Sequence, residues 1–204
     1  MRHTLIILFF SFVLQSVAAQ SGDQVFEFLT LPSSARANAL GGHTVSLVER
    51  DPSLIFHNPA LLGGEMDGMI NLDYMNYIAD VNVGSALFTK AFRERGAWGA
   101  GVHYFHNGKF KGMDENNQST GDFTASDIAV NGFFSYDLSE RWRGGVSMKF
   151  LYSNYDIYTS LGVCFDAGLS YYNSEKEFSF GVVLKNIGAQ LKPYYEDRQK
   201  MPWD

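Results

Sequence analysis

The sequence predicts an all-β fold, an antiparallel transmembrane β-barrel preceded by an N-terminal plug. Three observations carry that expectation. From about Gly68 onward, apolar residues recur with period two. The segments so marked reach ten or eleven residues, as in Trp142 to Tyr152, about twice the five or six usual in water-soluble sheets. Short charged turns alternate along the chain with other connections, one of them long and polar, as in an up-and-down barrel with turns at one end and loops at the other.

The N-terminus comes first. Met1-Arg2-His3 is short and basic, Thr4 to Val17 carries no charge, and Val17 and Ala19 suit the −3 and −1 positions of a cleavage site before Gln20. These features predict a secretory signal peptide over residues 1–19. The apolar run falls short of the roughly 20 residues of a spanning helix. Its removal takes away Arg2 and no acid, leaving 15 Lys and Arg against 22 Asp and Glu. An acidic chain without a basic stripe argues against nucleic acid as a partner. Cys164 is the only cysteine, so this exported chain gains nothing from an internal disulfide. Aromatics make up 15% of the chain and glycine 20 of 204 residues, while mean hydropathy is slightly negative. That combination suits strands that are apolar on one face only.

Residues 20–66 are expected to form a compact, irregular plug with short helical pieces. Leu31 to Gly42 reads as a turn, a short helix capped by Ser33 or Ser34, and a glycine stop at Gly41. Asp51-Pro52 and Asn58-Pro59 mark turns.

Residues 67–204 are expected to be barrel. Trp142, Gly144, Val146, Met148, Phe150 and Tyr152 share one face of the clearest strand, with Arg143, Gly145, Ser147, Lys149 and Leu151 on the other. The same alternation marks strands near 98–105, 128–136, 161–171 and 178–185, and two less regular ones near 68–77 and 82–91. The apolar faces would meet lipid and the small or charged faces a lumen, where Arg143, Lys149 and Lys185 could meet Asp73, Asp127 and Asp166. Trp142 to Tyr152 spans roughly 33 Å along the strand and, tilted by about 40°, roughly the 25 Å height of a membrane barrel's apolar band. Phe92 to Gly96, Asp137 to Arg141 and Asn173 to Glu177 are the short turns, and Gly108 to Ser126 is the long loop, expected outside the cell, with the short Ile78-Ala79-Asp80 connection the exception on the long-loop side. Seven strands are an odd number, whereas single-chain bacterial barrels have an even number and at least eight. The chain is therefore expected to be partial, with the remaining strands missing.

The search for chemistry finds no catalytic constellation. His103 and His106, three apart on a strand, face opposite sides. Asp114-Glu115-Asn116-Asn117 lacks the glycine and distal glutamate of an EF-hand. Gly99-x-Gly101 stops short of a dinucleotide fingerprint, with Tyr104 in the third glycine's place. Ser85 lies in no nucleophile elbow, and Cys164 has no evident basic neighbour. No enzyme activity, cofactor or metal is expected.

Val25 to Arg36, Ala39-Leu40-Gly41-Gly42 and Asn58-Pro59-Ala60-Leu61 resemble the N-terminal region of the PorV/PorQ family. These are outer-membrane barrels of the type IX secretion system of Bacteroidota, FadL-like in fold. Tyr74 to Ser85 and Lys185-Asn186-Ile187-Gly188 resemble the PorQ branch in particular. The resemblance implies a 14-stranded barrel with an N-terminal plug in the cell outer membrane. It also implies a structural role in protein secretion, holding a soluble PorZ-like partner where cargo is attached at the surface. Phe110, Met113, Asp114, Glu115, Asp122 and Phe123, all within the expected outer loop, are the candidate partner-binding residues, because loops on a rigid scaffold usually carry recognition. The alternative is a FadL-like transporter of hydrophobic small molecules. A greasy conduit needs contiguous apolar lumen positions, and those positions are mainly Gly, Ser, Asn, Asp, Arg and Lys, with scattered Phe105, Phe133, Leu151 and Val183.

Overall fold

A computed structural model describes residues 26–31, 34–42, 44–76, 81–113, 119–155 and 158–195. The expected signal peptide, the Ser33 alternative for the helix cap, the Ile78-Ala79-Asp80 connection and the C-terminal residues 196–204 lie outside them.

The N-terminal segment is a chain of short turns, each started by its own sequence. Helix α1 (Ala35–Ala39) begins at Ser34, whose side chain accepts the Ala37 N–H at 3.3 Å. It ends in a Schellman motif: Gly42 N–H donates to Ala37 O at 2.8 Å and Gly41 N–H to Asn38 O at 3.1 Å. Both glycines have positive φ, +100° and +86°, which an L side chain would resist. Two 3-10 turns, Pro52–Phe56 and Pro59–Leu61, each carry proline at the first position. Asp51 caps the first by accepting the Ser53 N–H at 2.9 Å, and Asn58 caps the second by accepting the Ala60 N–H at 3.0 Å.

The rest is one antiparallel sheet in sequence order: β1 (Ile70–Asn76), β2 (Asn82–Phe92), β3 (Gly96–Met113), β4 (Ser119–Asp137), β5 (Trp142–Tyr155), β6 (Tyr158–Asn173) and β7 (Phe178–Tyr195). The fold is therefore all-β, and each strand matches one expected from the period-two pattern. Several run longer than that pattern reaches. The largest difference is at the expected Gly108–Ser126 loop, most of which is strand. β3 continues to Met113 and β4 starts at Ser119, with Phe110 opposite Phe123, Lys111 opposite Asp122 and Gly112 opposite Gly121. The extension is hidden in the sequence because a bulge between His106 and Lys109, with Gly108 at φ +79°, breaks the alternation.

Burial follows the expected faces. In β5, Ser147, Lys149, Leu151 and Ser153 are buried, while Val146, Met148, Phe150 and Tyr152 between them are exposed. The inner face is covered by the N-terminal segment, which forms two apolar cores with it. One joins Ile55, Phe56, Leu62 and Met66 to Leu87 of β2, Ala97 of β3 and Phe133 of β4. The other joins Phe28 to Val83, Phe105, Ala129, Leu151 and Cys164, one residue from each strand from β2 to β6. Ile55 and Leu62 have no measurable exposure, and burying each is worth about 1.5–3 kcal/mol.

Candidate functional site

The segment is seated on the sheet by a row of glycines. Gly145 of β5 lies opposite Gly168 of β6, and Gly181 of β7 lies opposite Ser170, two residues further along β6. A Cβ at Gly145 would overlap the Pro59 carbonyl carbon and the Ala60 nitrogen, one at Gly168 would overlap Asn58 Oδ1, and one at Gly181 would overlap Val45 O. The missing side chains leave a shallow trough for the Asn58-Pro59-Ala60 turn. Asn58 is fully buried and uses both ends of its amide, Oδ1 capping Ala60 N–H and Nδ2 donating to Val45 O at 2.8 Å. Strand hydroxyls hold other backbone carbonyls of the segment: Thr89 Oγ1 donates to Met66 O at 2.6 Å and Ser135 Oγ to Leu62 O at 2.7 Å. Sequence reasoning reads these glycines only as small inner-face residues. The available signal is their recurrence on the inner face of three successive strands.

The inner-face charges meet only partly as expected. Lys149 and Asp166 do pair, Nζ to Oδ2 at 2.7 Å, both nearly fully buried. Arg143 instead takes Glu65 at 3.0 Å and Asp137 at 2.5 Å, because it lies at the turn end of β5, opposite Asp137 in the β4 ladder. Asp127 is fully buried, and its hydrogen-bond partners among the described residues include no cation. It accepts from Ser153, from Asn107 Nδ2 at 2.7 Å and from Tyr155 Oη at 3.2 Å. His103 is buried on the inner face and His106 is not, in keeping with their opposite sides. Cys164 is a free, buried thiol in the second apolar core.

Of the six candidate partner-binding residues, Phe110 and Met113 lie on β3, Asp122 and Phe123 lie on β4, and Asp114 and Glu115 are outside the described residues. The four described ones occupy a ribbon rather than a loop. β2 pairs with β3 only as far as Asn82 opposite His106, and β5 pairs with β4 only as far as Ala125 opposite Tyr155. Beyond those points β3 and β4 pair with each other and with no other strand among the described residues. Among the described residues no three His, Cys, Asp or Glu side chains gather as a metal site.

No protein-family model matches this chain, and no curated protein matches it.

Proposed function

We propose that this chain is an outer-membrane β-barrel component of a type IX protein secretion system, and that it anchors a surface partner for cargo attachment. The observation that carries the membrane half is the outer face of the sheet. Large apolar residues are exposed on all seven strands, among them Leu72, Phe88, Val102, Val130, Val146, Phe165 and Leu184. Patches that extensive are rare on soluble monomers. Aromatic rows bound the apolar band. Tyr74, Tyr104 and Tyr152 lie on one cross-strand row near the ribbon end, and Trp142, Tyr171 and Phe180 on another near the turn end. Aromatic girdles of this kind sit at the two interfaces of membrane barrels. The inner face, which mixes polar residues with the apolar ones of the two cores and is covered by the N-terminal segment, suits a plugged lumen. Among the described residues β1 and β7 each pair on one side only, and lipid tolerates no open edge, so in the membrane both edges must be paired.

The partner half rests on the β3–β4 ribbon and on the resemblance to the PorV/PorQ family. The ribbon offers backbone edges on both sides, which suits strand addition by an extended segment of a PorZ-like surface protein. The test is removal of residues 111–120 in the parent cell. Gly121-Asp122 then becomes a two-residue turn between the paired Phe110 and Phe123, a connection length that hairpins favour. The barrel should stay folded in the outer membrane, the partner should appear in the medium, and surface attachment of cargo should fall. Full retention of partner and cargo by a normally folded variant would refute docking at the ribbon.

A further inference from the structure

A cavity of about 150 Å³ lies between the N-terminal segment and the inner face of the sheet, and one end of it is built around a β-bulge. In the β6–β7 ladder Phe165 opposes Ile187 and Ala167 opposes Leu184, so Asp166 alone faces both Lys185 and Asn186. Bulges re-aim side chains in this way and are common beside functional sites. Asn186 is held at φ +57°, a conformation uncommon outside glycine but one that asparagine tolerates better than most.

The bulge assembles a cluster with unequal charges. Asp166 accepts from Lys149 Nζ at 2.7 Å, Ser147 Oγ at 2.9 Å and the Asn186 backbone N–H at 2.8 Å, and Lys149 also donates to Asn186 Oδ1 at 2.8 Å. Asp166 is thus fully engaged, and its charge is balanced by Lys149. Lys185 faces Asp166 at the same bulge but makes no ion pair or hydrogen bond among the described residues. Asp166 can match only one of the two lysines and is already paired with Lys149, so Lys185 is the lysine for which the cluster holds no acid. Lys149, Lys185 and Asn186 line the cavity, Phe28 and Phe105 form an apolar wall with ring centroids 5.0 Å apart, and none of the described lining residues is acidic.

We propose that this cavity binds a compact organic monoanion, a carboxylate on a small flat apolar body, with Lys185 as its charge partner and the Phe28–Phe105 wall against its body. The single lysine left without an acid selects a monoanion, whose own charge would hold Lys185 protonated on binding. A cavity near 150 Å³ takes a body about the size of benzene. The inference does not depend on the secretion reading, because the cavity lies on the inner face and the ribbon beyond the sheet.

The full chain in detergent micelles is titrated with benzoate and, separately, with uncharged benzyl alcohol, following binding by calorimetry. Benzoate should bind saturably and benzyl alcohol more weakly. Lys185→Met should weaken benzoate by about tenfold or more, the scale of a lost charge-assisted hydrogen bond, while Lys185→Arg should keep most of the affinity. Equal binding of the two probes by the unmodified chain would reduce the site to an apolar void, a result that needs no variant to fold. Absence of saturable benzoate binding, or unchanged binding by a folded Lys185→Met chain, would overturn the proposal. Partner retention in the ribbon-deletion experiment is unaffected by any of these outcomes.

Discussion

Val146 and Ser147 are adjacent and live in different surroundings. Val146 is 53% exposed on the outer face, whereas Ser147 is 3% exposed and donates to Asp166. If the outer face meets lipid, Val146→Arg places a charge near the bilayer midplane and should cost about 2–4 kcal/mol, with Val146→Leu close to neutral. Denaturant unfolding from lipid bilayers measures both, and an unchanged midpoint for the arginine variant would take this face out of the membrane. Alternation alone makes arginine at Ser147 the milder change, since it points to the lumen. That order holds unless the arginine clashes with the plug, and the buried Ser147, whose hydroxyl is committed to Asp166, makes such a clash the expected outcome. The ion pair beside it makes a second prediction. Asp166→Leu leaves Lys149 buried without its counter-charge and should cost about 3–5 kcal/mol, while Lys149→Met/Asp166→Leu together should recover much of the loss. A double variant as unstable as the sum of its parts would mean that the pair carries no coupling.

At the scale of elements, the glycine row is the feature with the clearest consequence. Gly168→Val cannot coexist with Asn58 in its present place, and the strand itself tolerates valine well. The sheet should therefore keep its circular-dichroism signature while the N-terminal segment lifts, exposing bonds within 51–62 to protease. Unchanged protease resistance would show that the segment is held elsewhere. Asn58→Ala removes a cap and the bridge to Val45 and should cost about 1–2 kcal/mol, seen as a lower thermal midpoint. Element legibility follows from the same physics. Period two finds all seven strands and sorts their faces, because side chains alternate strictly along a pleated strand. It stops early where bulges shift the phase, near His106 in β3 and after Lys185 in β7. It also reads Gly, Lys, Asn and Asp near residues 107–122 as loop, although ladder pairing across the hairpin makes most of them strand.

For the whole molecule, export and membrane assembly make the last prediction. Cleavage after Ala19 should leave a mature chain starting at or near Gln20, and Edman sequencing of protein purified from the outer membrane would read it directly. Recovery of an intact Met1 would remove the export signal from the account.

The sequence by itself determined what depends on neighbours along the chain. Those features are the strand period, the turn and cap residues of the N-terminal segment, the sorting of apolar from polar faces, and the charged turns. Each follows from a side chain acting on backbone within a few residues of it. Only the tertiary structure decided what depends on residues far apart: that Gly145, Gly168 and Gly181 form one trough for Asn58, that Arg143 takes Glu65 while Lys149 takes Asp166, and that a bulge leaves Lys185 facing a cavity. These are matters of register between strands. A shift of a single residue turns every side chain of a strand to the other face, and the periodicity of one strand carries no record of the register it adopts against the next.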